Sequence, residues 1–304
     1  MIHPSAPPND LTPQQLRVKP GPDGVSLAID PARAGWRYLT FKAVSLEAGA
    51  PLAVGGAGFE TALVVLAGGG LNLEPETGPT FNLEGRRTVF DARPWAAYLP
   101  HGHRGQLTAK PLDGDQVLVA IAEAPSDGRA GAATSPILIR PADVTVEVRG
   151  AGNATRRIHH IITPDFPADR LEVVEVYTPA GNWSSWPPHK HDVDDMPSEA
   201  VLEEIYYYQQ RRQEGWAVQR LYRRDKDLRD GVWAVRHGEL VLVTDGYHPF
   251  VAVHGYDAYY LNALAGDRRT MACTDDPDLA WTRAAWAEMT PDPRALAMVA
   301  DQEA

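Results

Sequence analysis

Short apolar stretches recur along this chain, each closed within a few residues by a turn signal. In the first half they run over Tyr38 to Leu46, Thr61 to Leu66, Leu71 to Leu73, Trp95 to Leu99 and Gln116 to Ala122. In the second half they run over Arg156 to Ile162, Leu171 to Thr178, Glu204 to Gln209, Gly215 to Tyr222, Gly231 to Arg236, Glu239 to Thr244 and Tyr256 to Ala263. Segments this short and this regular predict β-strands of a sandwich or barrel. The 26 glycines and 26 prolines fit many turns and few long helices. The two series have similar length and strand density, and both carry a glycine-containing turn before a late strand, so the chain reads as a duplicated β domain. Pro125 to Ser135 has no periodicity and no bulky apolar residue, which marks an exposed loop near the domain boundary. The expected organisation is an irregular arm over residues 1–30, one β domain over 31–145, a second over 146–275 and a helical tail over 276–304. In that tail Leu279, Trp281, Ala285 and Trp286 fall at roughly helical spacing, with Asp276 or Asp278 near its start.

The bulk numbers narrow the function. A chain of 304 residues is long enough for two domains, and 44% hydrophobic residues supply their cores. A net charge of −11 and a pI near 5.4 argue against nucleic-acid or anionic-membrane partners. An acidic ligand would need a local cationic pocket. The lone cysteine, Cys273, rules out an internal disulfide and fits a reducing cytoplasm. Met1 to Leu16 lacks a secretion pattern, and no apolar run approaches the roughly 20 residues that span a bilayer. The expectation is a cytoplasmic protein with no membrane partner.

The densest chemical signal is Gly181-Asn-Trp-Ser-Ser-Trp-Pro-Pro-His189-Lys-His191-Asp192. On a strand, His189 and His191 share one face about 6.6 Å apart, so both imidazoles can reach one metal while Lys190 points away. In the next predicted strand Glu203 and Glu204 face opposite sides, so only one can join the histidines. His248, in Asp245-Gly-Tyr-His-Pro249, enters a later strand from a glycine turn. Three nitrogens and one carboxylate oxygen leave room for water or substrate on the ion. His254 is a rival fourth ligand, and His159 and His160 lie on an earlier strand that could line the pocket.

The motif Asn182-Trp-Ser-Ser-Trp-Pro-Pro-His-Lys-His-Asp192, followed by Glu203-Glu-Ile-Tyr-Tyr-Tyr208 and Asp245-Gly-Tyr-His-Pro249, resembles the 5-deoxy-glucuronate isomerases of myo-inositol catabolism. These are cupins related to 4-deoxy-L-threo-5-hexosulose-uronate ketol-isomerase. The resemblance runs from about Gly35 to Gly266 and is strongest over residues 150–266. It implies an all-β bicupin, two jelly-roll barrels with a short C-terminal helix, and a metal held by His189, His191, Glu204 and His248. Glu204 is preferred because an aliphatic residue and an aromatic run follow it directly. The first lobe has no His-x-His in Gly55 to Leu63. His101 and His103 lie at its later turn, so that lobe is expected to serve scaffold and homo-oligomer contacts.

The implied reaction turns 5-deoxy-D-glucuronate, an aldose, into 5-dehydro-2-deoxy-D-gluconate, a ketose. It implies one divalent metal, Zn²⁺ first and Mn²⁺, Fe²⁺ or Ni²⁺ otherwise, acting as a Lewis acid. Glu203 or Tyr247 is the candidate general base. Arg157, Arg220 and Arg223 are the candidates for the substrate carboxylate, with His159 nearby. The competing readings are an Fe(II)-dependent cupin oxygenase and a non-catalytic sugar-binding bicupin.

Overall fold

The computed structural model describes residues 16–21, 26–114, 116–224 and 230–299. Strand alternation builds it from the inside out. In Phe59–Ala67, Leu63 and Val65 turn one way and Ala62, Val64 and Leu66 the other, and all are buried. A strand buried on both faces sits between two layers.

One layer is the four-stranded sheet of Leu52–Gly55, Arg104–Pro111, Gly69–Pro75 and Phe81–Arg86. With Leu63, Val65, Val119 and Ile121 it encloses the first lobe's own core. The central layer is a six-stranded sheet ordered Ile137–Ile139, Ala96–Leu99, Phe59–Ala67, Gln116–Pro125, Thr40–Glu47 and Leu27–Ile29. Its other face meets the second lobe, for Ala62, Val64 and Ala120 belong to one core with Val173, Tyr177 and Ile205.

The second lobe's large sheet has seven strands: Arg17–Val18, Leu240–Val243, Leu202–Gln210, Ala258–Gly266, Leu171–Thr178, Arg156–Ile162 and Thr145–Arg149. A four-stranded sheet of Trp183–Ser184, Phe250–Ala252, Trp216–Tyr222 and Asp230–Arg236 completes this lobe with the pair His189–Lys190 and Thr274–Asp275. The fold is all-β with a short C-terminal helix.

Two segments depart from expectation. The arm is not irregular throughout: Arg17 pairs with Val241 of the second lobe, and Leu27–Ile29 pairs with Thr40–Glu47. Residues 1–15 and 22–25 of the arm lie outside the described residues. Among the described residues the tail is α-helical only over Trp281–Ala285, continues as the 3-10 turn Trp286–Glu288, and resumes as another at Pro293–Ala295. Pro291 and Pro293 carry no N–H, so a continuous helix cannot run through them. Trp281 opens this helix and is 67% exposed. Among the described residues no helix is long and apolar enough to cross a membrane.

Candidate metal centre

Parity decides which side chains meet. Across the seven-stranded sheet, His160 pairs with Val174, Val174 with Asn262, and Asn262 with Tyr206. One row below, Glu172 pairs with Leu264 and Leu264 with Glu204. These rows share one face, and most of their members line a cavity of about 280 Å³ with His189, His191, Tyr260, Arg149, Arg156 and Arg283.

His191, Glu204 and His248 bring ligand atoms within 4.8 Å of one another, and all three are buried. The His189 ring lies 4.6 Å from that of His248 and 6.4 Å from that of His191. The local chain holds each ring by its Nδ1. His191 Nδ1 is 2.9 Å from the Leu202 carbonyl, His248 Nδ1 is 3.0 Å from that of Gly246, and His189 Nδ1 is 3.3 Å from that of Pro187. A ring that donates through Nδ1 leaves Nε2 as the free electron pair, the arrangement of metal-bound histidines.

The donor set fits a divalent ion. Among the described residues buried His248 Nε2 has no hydrogen bond; it lies 3.4 Å from a Glu204 oxygen that is also 2.9 Å from His191 Nε2. An orphaned buried nitrogen beside a carboxylate is costly unless something electropositive joins them. Burial and the neighbouring imidazoles push His189 and His248 down to about 3, so both are neutral at pH 7. Burial would lower His191 as well, but the Glu204 carboxylate holds it above the usual range.

The loop between His191 and Glu204 is knotted to the site. Glu199 accepts from the Asp192 and Val193 amides at 2.8 and 2.9 Å and from Lys190 Nζ at 2.8 Å, which turns Lys190 away from the rings. Asp192 accepts from the Gly246 amide at 2.8 Å, tying the His-x-His segment to the turn that carries His248.

The other expected site residues stand elsewhere, for the same reason of parity. Glu203 faces the first lobe, where it accepts the amides of Arg37, Tyr38 and Leu39 at 2.6, 2.9 and 2.8 Å. Tyr247 stacks on Tyr222, 5.3 Å between centroids. Arg157 and His159 point to the inter-lobe side. Arg157 donates to His159 Nε2 at 2.9 Å and to the Leu296 carbonyl at 2.7 Å, and His159 Nδ1 lies 3.4 Å from Glu175. Arg220 pairs with exposed Asp230 at 2.7 Å, and Arg223 pairs with Asp245. None of these six lines the cavity, so the structure does not support the base and arginine assignments that rested on them. His254 is exposed. In the first lobe His101 Nδ1 is 2.6 Å from the Ser126 carbonyl, and half-buried His103 is 3.2 Å from that of His101.

The side chains that do reach the cavity were one residue away. They are Arg156 rather than Arg157, and His160 rather than His159. A count of alternation from Ile158, which also lines the cavity, would have found both. Arg283 comes from the tail, where no sequence signal tied it to the site.

Residues 12–282 match the KduI/IolB family. The chain is 40% identical over 264 residues to the 5-deoxy-glucuronate isomerase of Geobacillus thermodenitrificans, covering 86% of this chain and 92% of the relative. It is 35% identical over 274 residues to that of Listeria monocytogenes, covering 88% and 96%. The crystal structure of an IolB-like protein from Salmonella typhimurium superposes with a TM-score of 0.81 at 35% identity, over 88% of this chain and 98% of that one. An oxalate decarboxylase from Lactobacillus farciminis, at 9% identity and TM-score 0.59 over 86% and 88% of the two chains, shares the fold alone.

Proposed function

The chain belongs to the KduI/IolB family, and from that premise we propose how its cavity works. The protein is an aldose–ketose isomerase that converts 5-deoxy-D-glucuronate to 5-dehydro-2-deoxy-D-gluconate. The observation that carries this reading is the buried His191, Glu204 and His248 group, which opens with His189 onto a cavity suited to one small sugar acid.

The isomerisation conserves all atoms. One proton leaves C2, the released pair forms the C1=C2 bond of an enediol, and the C1 carbonyl oxygen takes up a proton. The O2 hydroxyl then gives up its proton to become the ketone as C1 takes up the other. His189, His191, Glu204 and His248 would hold one divalent ion, which would supply Lewis-acid stabilisation of the developing oxygen charge, and the nitrogen-rich donor set favours Zn²⁺. The proton is assigned to His160. Glu147 lies 2.9 Å from its Nε2, which leaves Nδ1 as the acceptor nitrogen of an oriented imidazole. Glu147 stays ionised for this task, since its bidentate pair with Arg149 holds it down to about 2. Tyr206 and Tyr260 keep their protons: burial raises both, and their hydroxyls lie 2.7 and 3.3 Å from Ser185 Oγ, which fixes their position rather than making them bases. The lone cysteine fits a cytoplasmic setting.

Turnover of 5-deoxy-D-glucuronate in D₂O tests the scheme. Deuterium should enter the new methylene of the product, anaerobically and with a redox-inert ion. His160→Gln should lower kcat by about 10²–10⁴-fold while elemental analysis finds the metal unchanged. Full activity in that variant removes His160 from the role of base. Strict dependence on oxygen and iron removes the isomerase.

A further inference from the structure

One wall of the cavity carries three guanidiniums, from Arg149, Arg156 and Arg283. Two have partners. Arg149 forks onto Glu147 at 2.7 Å through both bonds, and Arg283 onto Asp275 at 2.8 Å. Arg156 has none: among the described residues its side chain makes one hydrogen bond, 3.2 Å to the Ala154 carbonyl, and no ion pair. Yet it is 4% exposed and stands directly across the strand pair from Arg149. Like charges opposite one another on neighbouring strands repel, and a buried cation without a counter-ion is among the more expensive features a fold can keep. Burial draws Arg156 down to about 10, and the neighbouring Arg149 and Arg283 act in the same direction. Trp286 offers only its ring face, 5.6 Å from the Arg156 guanidinium and 5.4 Å from that of Arg283.

We propose that Arg156 is the specificity residue of this pocket, the guanidinium that receives the carboxylate of a sugar acid whose aldehyde end lies at the histidine cluster. The inference rests on the isomerase reading for the orientation of that ligand. The charge balance rests on this wall alone: three guanidiniums meet the two carboxylates that pair with them, Glu147 and Asp275, while Glu204 stands with the histidine cluster, so one positive charge is left over for one monoanion. The guanidinium is planar and held by a strand and an indole, so its remaining donors are set for a bidentate grip. Arg149 and Arg283, already engaged, raise the local potential without competing for the ligand. This is the local cationic pocket that a chain of net charge −11 needs in order to draw in an acid.

The test compares acid with neutral ligand. The probes are the unreactive alditol acid, made by reducing the aldehyde of 5-deoxy-D-glucuronate, and its counterpart with a hydroxymethyl group in place of the carboxylate. Calorimetric titration of the metal-loaded protein should show Arg156→Met binding the acid on the order of 100-fold more weakly than the parent, with binding of the neutral alditol and metal content unchanged. Arg156→Lys should recover part of the acid affinity, as a point charge without the fork. With the aldoses themselves, Arg156→Met should raise KM for the uronate alone. Equal weakening toward both alditols, or unchanged affinity for the acid, overturns the proposal. If the acid binds through Arg156 but no isomerisation occurs, the isomerase reading falls and the carboxylate site stands.

Discussion

At the scale of single residues the site is a set of buried groups that each need a partner of opposite character. Among the described residues His248 Nε2 has no hydrogen bond, so an ion held by His248 and Glu204 would relieve a cost already present in the fold. His248→Ala should therefore lower metal affinity by on the order of 100-fold or more while far-ultraviolet circular dichroism stays that of the parent. Stoichiometric metal in that variant would move the fourth ligand elsewhere. Glu172 is a different case. It sits 1% exposed on the cavity-facing side of its strand, and burial pushes it up to about 7 against the opposing pull of Arg269 and His191. Glu204 reinforces the rise. A carboxyl whose folded pKa lies above its unfolded one binds a proton in the native state that the unfolded chain has released. Stability therefore falls as pH climbs from about 4.5 to 7. With chelator present, Glu172→Gln should gain up to about 3 kcal/mol over the parent between pH 5 and pH 8 in urea melts. An unchanged difference between the two pH values would place Glu172 in a wetter setting than its burial indicates.

At the scale of elements, the strands were legible because short segments rich in β-branched and aromatic residues are bounded by turn signals: Arg156–Ile162 and Leu171–Thr178 begin and end where the pattern does. Phe81–Arg86 and Arg104–Pro111 escaped notice because they alternate with polar residues and end beside glycines. The histidine and glutamate motifs of the metal centre stood out in the same way, as residue types at informative spacing. The rest of the site did not. Whether Glu203 or Glu204, Arg156 or Arg157, faces the cavity is a matter of one residue of register, and only the layer packed behind the sheet decides it. The turn that presents His248 makes the point for glycine. Gly246 has φ of +80°, and a Cβ there would lie 2.5 Å from the Tyr222 carbonyl oxygen. Gly246→Ala should displace the turn, weaken the Asp192 contact and lower metal occupancy without touching any ligand. Elemental analysis and activity should fall together, and unchanged occupancy would show that the turn tolerates the shift.

At the scale of the whole molecule the lobes are joined by buried charge as well as by the shared apolar core. Arg86, from the first lobe, pairs with Glu175 of the second, and both side chains are fully buried. Tyr259 donates to the same carboxylate at 2.8 Å, Tyr177 at 2.9 Å, and Arg86 donates further to the Ala92 carbonyl at 2.9 Å. Glu60 makes a second joint, accepting the Tyr98 hydroxyl of its own lobe and the Asp169, Arg170 and Leu171 amides at 2.7, 2.6 and 2.9 Å. Glu203 makes the third, from the opposite side. The Glu175 strand also carries Val174 and Val176 on its cavity face, so a disturbance between the lobes is a disturbance one residue from the site. Removing one member of such a pair leaves the other as an uncompensated buried charge, a loss of roughly 3–5 kcal/mol, whereas removing both loses far less. Arg86→Met alone should therefore destabilise by about that amount, and adding Glu175→Gln should restore a large part of it. The double-mutant cycle, read by denaturant melts, should give a coupling above about 1 kcal/mol. Because the joints tie both sheets together, the parent should unfold in one transition by circular dichroism and by tryptophan fluorescence, with Arg86→Met the variant in which the two signals separate. Additive losses in the cycle would mean that the Arg86–Glu175 pair does not couple the lobes.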